Sequence, residues 1–186
     1  MPKLEIPPNE ALYPVPVVLV SCRDEKNARG NIVTIAWCGI VASNPPQISV
    51  SIRPGRHSHS LIMSEREFAI NVPTEDIVRQ VDACGVISGK GFDKAAAFSL
   101  NFLPASRISA PLVKECPVNI ECSLVDVVRL GSHDAFIGRV LAVHADSEVV
   151  GKDGKIDYGI TRPFVYNQGE YWSLGRKIGR YGFSSK

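Results

Sequence analysis

The stretch VNIECSLVDVVRLGSHDAFIGRVLAVHADSEVV, residues 118–150, decides how the rest of the chain is read. Two long runs rich in β-branched residues, 118–131 and 135–150, flank Gly131-Ser132-His133-Asp134, whose composition is that of a turn, so the pair reads as one long antiparallel hairpin. Strands of this length twist too strongly to remain in a flat, unwrapped sheet.

Working outward, shorter strand signals precede that hairpin. VPVVLVSC, 15–22, is an apolar strand; RDEKNARGN, 23–31, has a loop's composition; and IVTIAW, 32–37, returns as the second arm of a hairpin. ISVSIR, 48–53, alternates with period two, and FAINV, 68–72, follows it. Between these lies SHSLIMSERE, 58–67, a helix pattern with Ser58 in position to cap it. Thr74 precedes a second helix pattern, EDIVRQVDAC, with Glu75 and Asp76 in its first turn, and KAAAFSL, 94–100, gives a third. Antiparallel strands in meander-like order with small helices favour a barrel over a doubly wound sheet. Near the C-terminus, PFVYNQGEYWSLGRKIGRYGF, 163–183, reads as a closing hairpin followed by an aromatic, glycine-rich tail, within one domain spanning 1–186.

Composition narrows the function. With 186 residues, 45% hydrophobic and 22% charged, the chain can bury a full core and has no apolar run long enough to span a bilayer as a helix. The prolines of MPKLEIPPNEALYPVP contradict a signal peptide, so the cytoplasm is the expected location. A net charge of +2 without a basic stripe argues against nucleic acid, and the five cysteines, at 22, 38, 84, 116 and 122, form no CxxC pair, which suggests neither a zinc site nor a disulfide framework. Neither GxGxxG after a strand nor GxxxxGK[ST] occurs.

One corner stands apart from this near-neutral background. SIRPGRHSHSLI, 51–62, crowds two arginines, two histidines and three serines between a strand and a helix start, where unpaired amides and the helix dipole favour an anion. By residue type alone Arg53 and Arg56 equally fit a solvated strand end, and Ser88-Gly89-Lys90-Gly91 fits a flexible linker as well as a backbone that approaches a phosphate. His57 and His59 are badly spaced for a shared metal. Cys38 follows Trp37 but lacks a basic neighbour and reads as a structural thiol.

The ordered segments NIVTIAWCGIVASNPPQISVSIRPGRHSHSLI, FAINVP, SGKGFDK, PVNIECSLV and FIGRVL, which together cover nearly the whole chain, resemble the flavin reductase-like family, and most closely its flavoredoxin branch. The resemblance implies a mainly β fold, a six-stranded antiparallel Greek-key split barrel with a few short helices, that binds one FMN per subunit at a homodimer interface. It also implies flavin-contacting positions at Thr34, Ala36, Trp37, Ser51, Ile52, Arg53, His57, Ser58, Asn71, Ser88, Gly89, Lys90 and Lys94, with the basic corner holding the phosphate. No catalytic side chain and no metal are expected, because the cofactor carries the redox chemistry. Asp93 reads as a capping residue. Reducing equivalents would come from NADH or NADPH, or from a redox protein partner in an electron carrier; a non-catalytic flavin-binding module is the remaining alternative.

Overall fold

The computed structural model describes residues 1–25 and 30–185. Of the loop expected at 23–31, residues 26–29 lie outside that description. The main sheet contains β2 (Val18–Cys22), β3 (Asn31–Ile35), β4 (Cys38–Ser43), β5 (Pro46–Ile52), β6 (Glu67–Val72), β9 (Val118–Arg129) and β10 (Asp134–Ala145), in the spatial order β3-β2-β6-β9-β10-β5-β4. Every neighbouring pair in it is antiparallel. A short strand β1 (Val15–Pro16) joins β11 (Phe164–Asn167) and β12 (Glu170–Ser173) in a second sheet, so the expected C-terminal hairpin forms there, and β7 (Phe102–Leu103) pairs with β8 (Leu112–Val113). The helices are α1 (His57–Glu65), α2 (Val78–Val86), α3 (Lys94–Ala97) and α4 (Tyr158–Thr161). None among the described residues is long and apolar enough to cross a membrane.

The main sheet has seven strands where six were expected. The additional one is β4, whose Ile40 is 83% exposed beside a register shift, so it lacks the alternating burial that makes a strand legible. It survives as an edge because β5 supplies its ladder. The mainly β, curled antiparallel architecture itself is as expected.

Period-two alternation explains why every residue of β2 is buried. Val18, Val20 and Cys22 turn to one face, into a core shared with Val33, Ile35, Val50, Ile52, Phe68, Ile70 and Phe136. Val17 and Leu19 turn to the other, against Ile32 and a layer from α2 and α3 that includes Val81, Cys84 and Ala95. The expected helix EDIVRQVDAC begins instead as a 3₁₀ turn, Glu75–Ile77, before becoming α2, and Thr74 makes no side-chain cap bond. Asp93 does cap α3, accepting from Ala96 N at 3.0 Å.

Two features of this packing carry a measurable cost. The strand β10 shifts register against β9 at Ile137/Gly138 and again at Val140/Ala142, which bends the long hairpin over the core. At Gly138 the bend is tight: a Cβ there would lie 2.5 Å from Phe68 Cζ and 2.9 Å from Cys122 Cβ. Lys94, on α3, is 4% exposed and donates from Nζ to Ile32 O and Cys84 O, both at 2.8 Å, so it ties α3 to β3 and α2. Burial lowers its pKa to about 8, while burial raises the thiols of Cys22, Cys38 and Cys122 to about 12 and that of Cys84 to about 11.

Gly138→Ala is therefore expected to destabilise the protein by about 1–3 kcal/mol through overpacking, read as a lowered urea midpoint. The titrations predict an alkaline decline. The thiols' contribution is complete below their unfolded pKa near 9 and is lost as pH rises above it, because the unfolded chain ionises first. Lys94 acts in the opposite direction between about pH 8 and its unfolded value of 10.5, where the folded state has already released the proton that opposed its burial. Urea unfolding from pH 8 to 10.5 should thus show falling stability, and the fall should be steeper in Lys94→Met. A curve that rises over this window would contradict the assignment.

Candidate functional site

The site forms where the ends of the sheet meet. The strands β3 and β4 are its opposite edges, yet only Ala36 and Trp37 separate them in sequence. The Trp37 carbonyl accepts from Ser51 N at 2.8 Å, pinning this link to the end of β5. A cleft of about 380 Å³ opens there, within the usual range for small-molecule pockets. It brings together Thr34, Ala36, Trp37, Ser51, Ile52 and Arg53, six of the thirteen positions singled out in the sequence. Tyr13, Tyr166, Arg56 and the carboxylate of Glu10 also line it.

His133 also lines this cleft, and sequence reading missed it because GSHDAFIG scans as an ordinary turn. Its ring centroid lies 4.4 Å from that of Trp37 with the planes 60° apart, and Arg53 Nε donates to its Nε2 at 3.3 Å. Burial, then the Arg53 charge, pulls its pKa below the ordinary histidine value, so the ring is neutral at neutral pH with Nε2 as acceptor. Nothing local to Gly131-Ser132-His133-Asp134 signals a contact with a residue 80 positions away.

A second cleft of about 460 Å³ lies across the start of α1 and takes in His57, Gly89 and Lys90 with Asp24 and Phe92. Consecutive residues Arg56 and His57 stand between the two clefts. The helix begins at His57, not at Ser58, and its N-cap Arg56 makes no side-chain cap bond, which leaves first-turn amides open to an external acceptor. Ser58 is buried, and its Oγ accepts from Asn31 Nδ2 at 2.6 Å, so it is not the cap. His57 Nε2 sits 2.9 Å from Asp24 Oδ2, and His59 Nε2 sits 2.9 Å from Asp134 Oδ2, so both histidines anchor the helix to neighbouring elements. His59 is half-buried against Phe136.

The remaining positions fall on three different levels. Ser88 is exposed and its Oγ accepts from Lys90 N at 3.3 Å. Gly89 is buried where a Cβ would collide with Asn31 Oδ1, so SGKG is a packed loop that requires glycine and not a flexible linker. Lys94 lies behind the second cleft; among the described residues it pairs with no carboxylate, and Arg56 is close enough to oppose its charge. Asn71 lines neither cleft. It is fully buried and uses its whole hydrogen-bonding capacity internally, donating to Leu19 O and Ser21 Oγ and accepting from Val113 N and Asn119 Nδ2. Its expected ligand contact is corrected to a structural one: a saturated amide has no valence left for a flavin.

The geometry has the chemistry of an aromatic slot next to an anion corner. Arg53, Arg56 and Lys90, the uncapped amides of α1 and the Gly89–Gly91 backbone supply donors, and no described carboxylate pairs with these cations. The half-buried Cys38 has its thiol raised to about 12 and is not an activated nucleophile. No group of three or more His, Cys, Asp or Glu among the described residues is arranged to hold a metal.

Comparison with known proteins agrees with this reading. The family described as "Flavin reductase like domain" matches residues 11–175. The flavoredoxin of Desulfovibrio vulgaris (Miyazaki F) superposes with a TM-score of 0.92 at 31% identity, covering 99% of this chain and 100% of that one. A flavoredoxin from Methanosarcina acetivorans gives 0.90 at 26% identity, with both chains covered completely. A protein of Archaeoglobus fulgidus is 35% identical over 149 residues, 80% of this chain and 81% of its own. The family match over residues 11–175 and the superpositions on two flavoredoxins place this chain in the flavin reductase-like family, in its flavoredoxin branch.

Proposed function

We propose that this protein binds FMN across the two clefts and passes electrons through it, receiving them from NADH, NADPH or a redox protein. The observation that carries the reading is the continuity of the Trp37 cleft with the uncapped, cationic start of α1: a planar apolar wall and an anion corner are joined by two consecutive residues, Arg56 and His57. An FMN phosphate carries nearly two negative charges at neutral pH and is best held by charge-assisted donors at a helix start. When bound, the flavin would supply hydride and single-electron chemistry that no side chain of this fold offers.

The residues present fit that group. Trp37 offers surface for a flat ring, and Ala36 leaves room beside it. Arg56 and Lys90 reach the corner from α1 and from the glycine loop. Lys94, a buried cation without a carboxylate, adds positive potential behind it. The neutral His133, turned by Arg53 and packed on Trp37, holds the aromatic wall in place, its one acceptor nitrogen being taken up by Arg53.

The proposed assembly is a homodimer. Ile40 and Val41 on the edge strand β4, which leads out of the cleft through Trp37, and Ile178, Tyr181 and Phe183 in the C-terminal tail are exposed apolar side chains in one chain. Covering such surface is what a second copy would do. Light scattering is expected near twice 20.2 kDa, and a monomer fully loaded with FMN would contradict this.

Equilibrium titration tests the cofactor. FMN should bind more tightly than riboflavin, and Arg56→Ala or Lys90→Ala should each weaken FMN by roughly 10-fold to 150-fold, the worth of one charge-assisted hydrogen bond, while riboflavin barely changes. Arg53→Ala should weaken FMN less than either, because Arg53 Nε is engaged with His133. Affinities within twofold of wild type in both Arg56 and Lys90 variants would remove the phosphate from this corner. Anaerobic bleaching of the bound flavin by NADH or NADPH would support direct nucleotide use; bleaching only with a reduced protein donor would support the carrier.

A further inference from the structure

Lys94 is a cation in a place that gives it no counter-ion. It is 4% exposed, and its Nζ donates to Ile32 O and Cys84 O, both at 2.8 Å, with no third acceptor among the described residues. Two thiols face its charge, Cys84 and Cys22, but burial raises them to about 11 and about 12, so both are neutral where Lys94 titrates. Lysine is almost never fully buried unless it is paired, so this one calls for a reason beyond the tie it makes between α3, β3 and α2.

Its position supplies one. Lys94 directly follows Asp93, which lines the second cleft, and its ammonium rests on Ile32 O, one residue along β3 from Asn31. Asn31 joins the two segments that frame that cleft. Its Nδ2 donates to Ser58 Oγ at 2.6 Å in the first turn of α1, and its Oδ1 fills the space a Cβ on Gly89 would need. Asn31 and Ser58 are both buried, so the Lys94 charge lies beneath the corner with protein and not water between them.

Few charges face this point. Arg56 and Lys90 stand at the corner, and Arg56 is close enough to oppose the charge of Lys94. Of the two carboxylates, Asp24 Oδ2 lies 2.9 Å from His57 Nε2, and Asp93 accepts from Ala96 N at 3.0 Å. Burial, with the Arg56 charge acting the same way, brings the Lys94 pKa down to about 8. An anion at the corner reverses both influences, because it offsets the repulsion and compensates the desolvated ammonium, and its field is weakened far less by protein than by water.

We propose that Lys94 determines specificity for a phosphorylated ligand at this corner: it acts on the anion through space, without touching it, and takes up a proton as the anion binds. This inference rests on the FMN reading above. Linkage makes the two effects one, since an anion that tightens the proton must itself be tightened by the proton. The sign follows. Below about pH 8 Lys94 is charged with or without ligand and FMN affinity is at its highest; above it the free protein must first gain a proton, so affinity falls. Riboflavin, which has no phosphate, should show no such fall.

Calorimetric titration of the flavin-free protein at pH 8.5, in two buffers of different ionisation enthalpy, counts the protons. About half a proton should be taken up per FMN, the value for a rise of about one pKa unit in Lys94, and none per riboflavin. The phosphate itself has lost its second proton well below this pH. Between pH 7 and 9.5 the Kd for FMN should rise roughly fivefold to tenfold while that for riboflavin stays level. Lys94→Met should weaken FMN at pH 7 by about tenfold, spare riboflavin, and abolish both the proton uptake and the pH dependence; a purely structural tie would instead weaken the two flavins together. Should that variant fail to fold, the wild-type proton count decides alone. FMN binding in preference to riboflavin without proton uptake would overturn this proposal and leave the FMN reading standing, whereas no FMN binding at all would overturn both. Proton uptake that persists in folded Lys94→Met would also overturn it.

Discussion

The structure depends on a two-residue constraint. Seven strands side by side at about 4.8 Å would put the outer strands of a flat sheet roughly 29 Å apart. Ala36 and Trp37, the whole connection between the outer strands β3 and β4, allow about 10 Å between the flanking residues. The sheet must therefore curl until its edges meet. The register shifts in β9 and β10, and the glycine at position 138 that lets Phe68 approach the strand, supply the curvature. The edges meet without pairing to each other, and the Trp37 cleft opens beside their junction, between β3 and the end of β5. Barrel closure and site formation are one event in this fold.

Curling a sheet this tightly puts polar groups in its wall, and each has a specific partner. Asn71 joins β2, β6, β8 and the start of β9 through four hydrogen bonds. Glu121, with no exposed surface, accepts from Ser106 N, Ser106 Oγ, Arg107 N and His144 Nε2, which fixes the segment that crosses β9. Although burial pushes its pKa up, the combined hydrogen bonds hold it below the ordinary carboxylate value, so the pin stays charged. Polar groups saturated in this way specify one register in a sheet whose apolar pattern alone would tolerate slippage.

Much of this was legible because it rests on local pattern. The long hairpin, the order of the inner strands, the helix at 57–65 and Asp93 as a cap follow from alternation, turn residues and capping chemistry. The edge strand β4 was not, since an exposed edge carries no burial alternation. Within the site, residues contiguous in sequence were grouped correctly, Thr34 with Ala36 and Trp37, and Ser51 with Ile52 and Arg53. What failed depends on side-chain direction. FAINVP puts Asn71 beside the site in sequence, but period two points its amide into the wall, and His133 reaches the cleft from 80 positions beyond Arg53. No local signal carries either fact.

The same separation explains how the fold divides binding from chemistry. Five cysteines are distributed through the core, and burial raises every one of their thiols, so none competes for electrons near the cleft. The two histidines of α1 are held by Asp24 and Asp134, and His133 is kept neutral by burial and by Arg53. Among the described residues, Arg56 and Lys90 pair with no carboxylate, although Glu10 lines the first cleft and Asp93 the second. A surface so arranged can attract and orient an anion with a flat aromatic body, but it offers no activated nucleophile of its own. The protein's contribution is thus a frame in which two consecutive residues, Arg56 and His57, join the aromatic cleft to the start of α1.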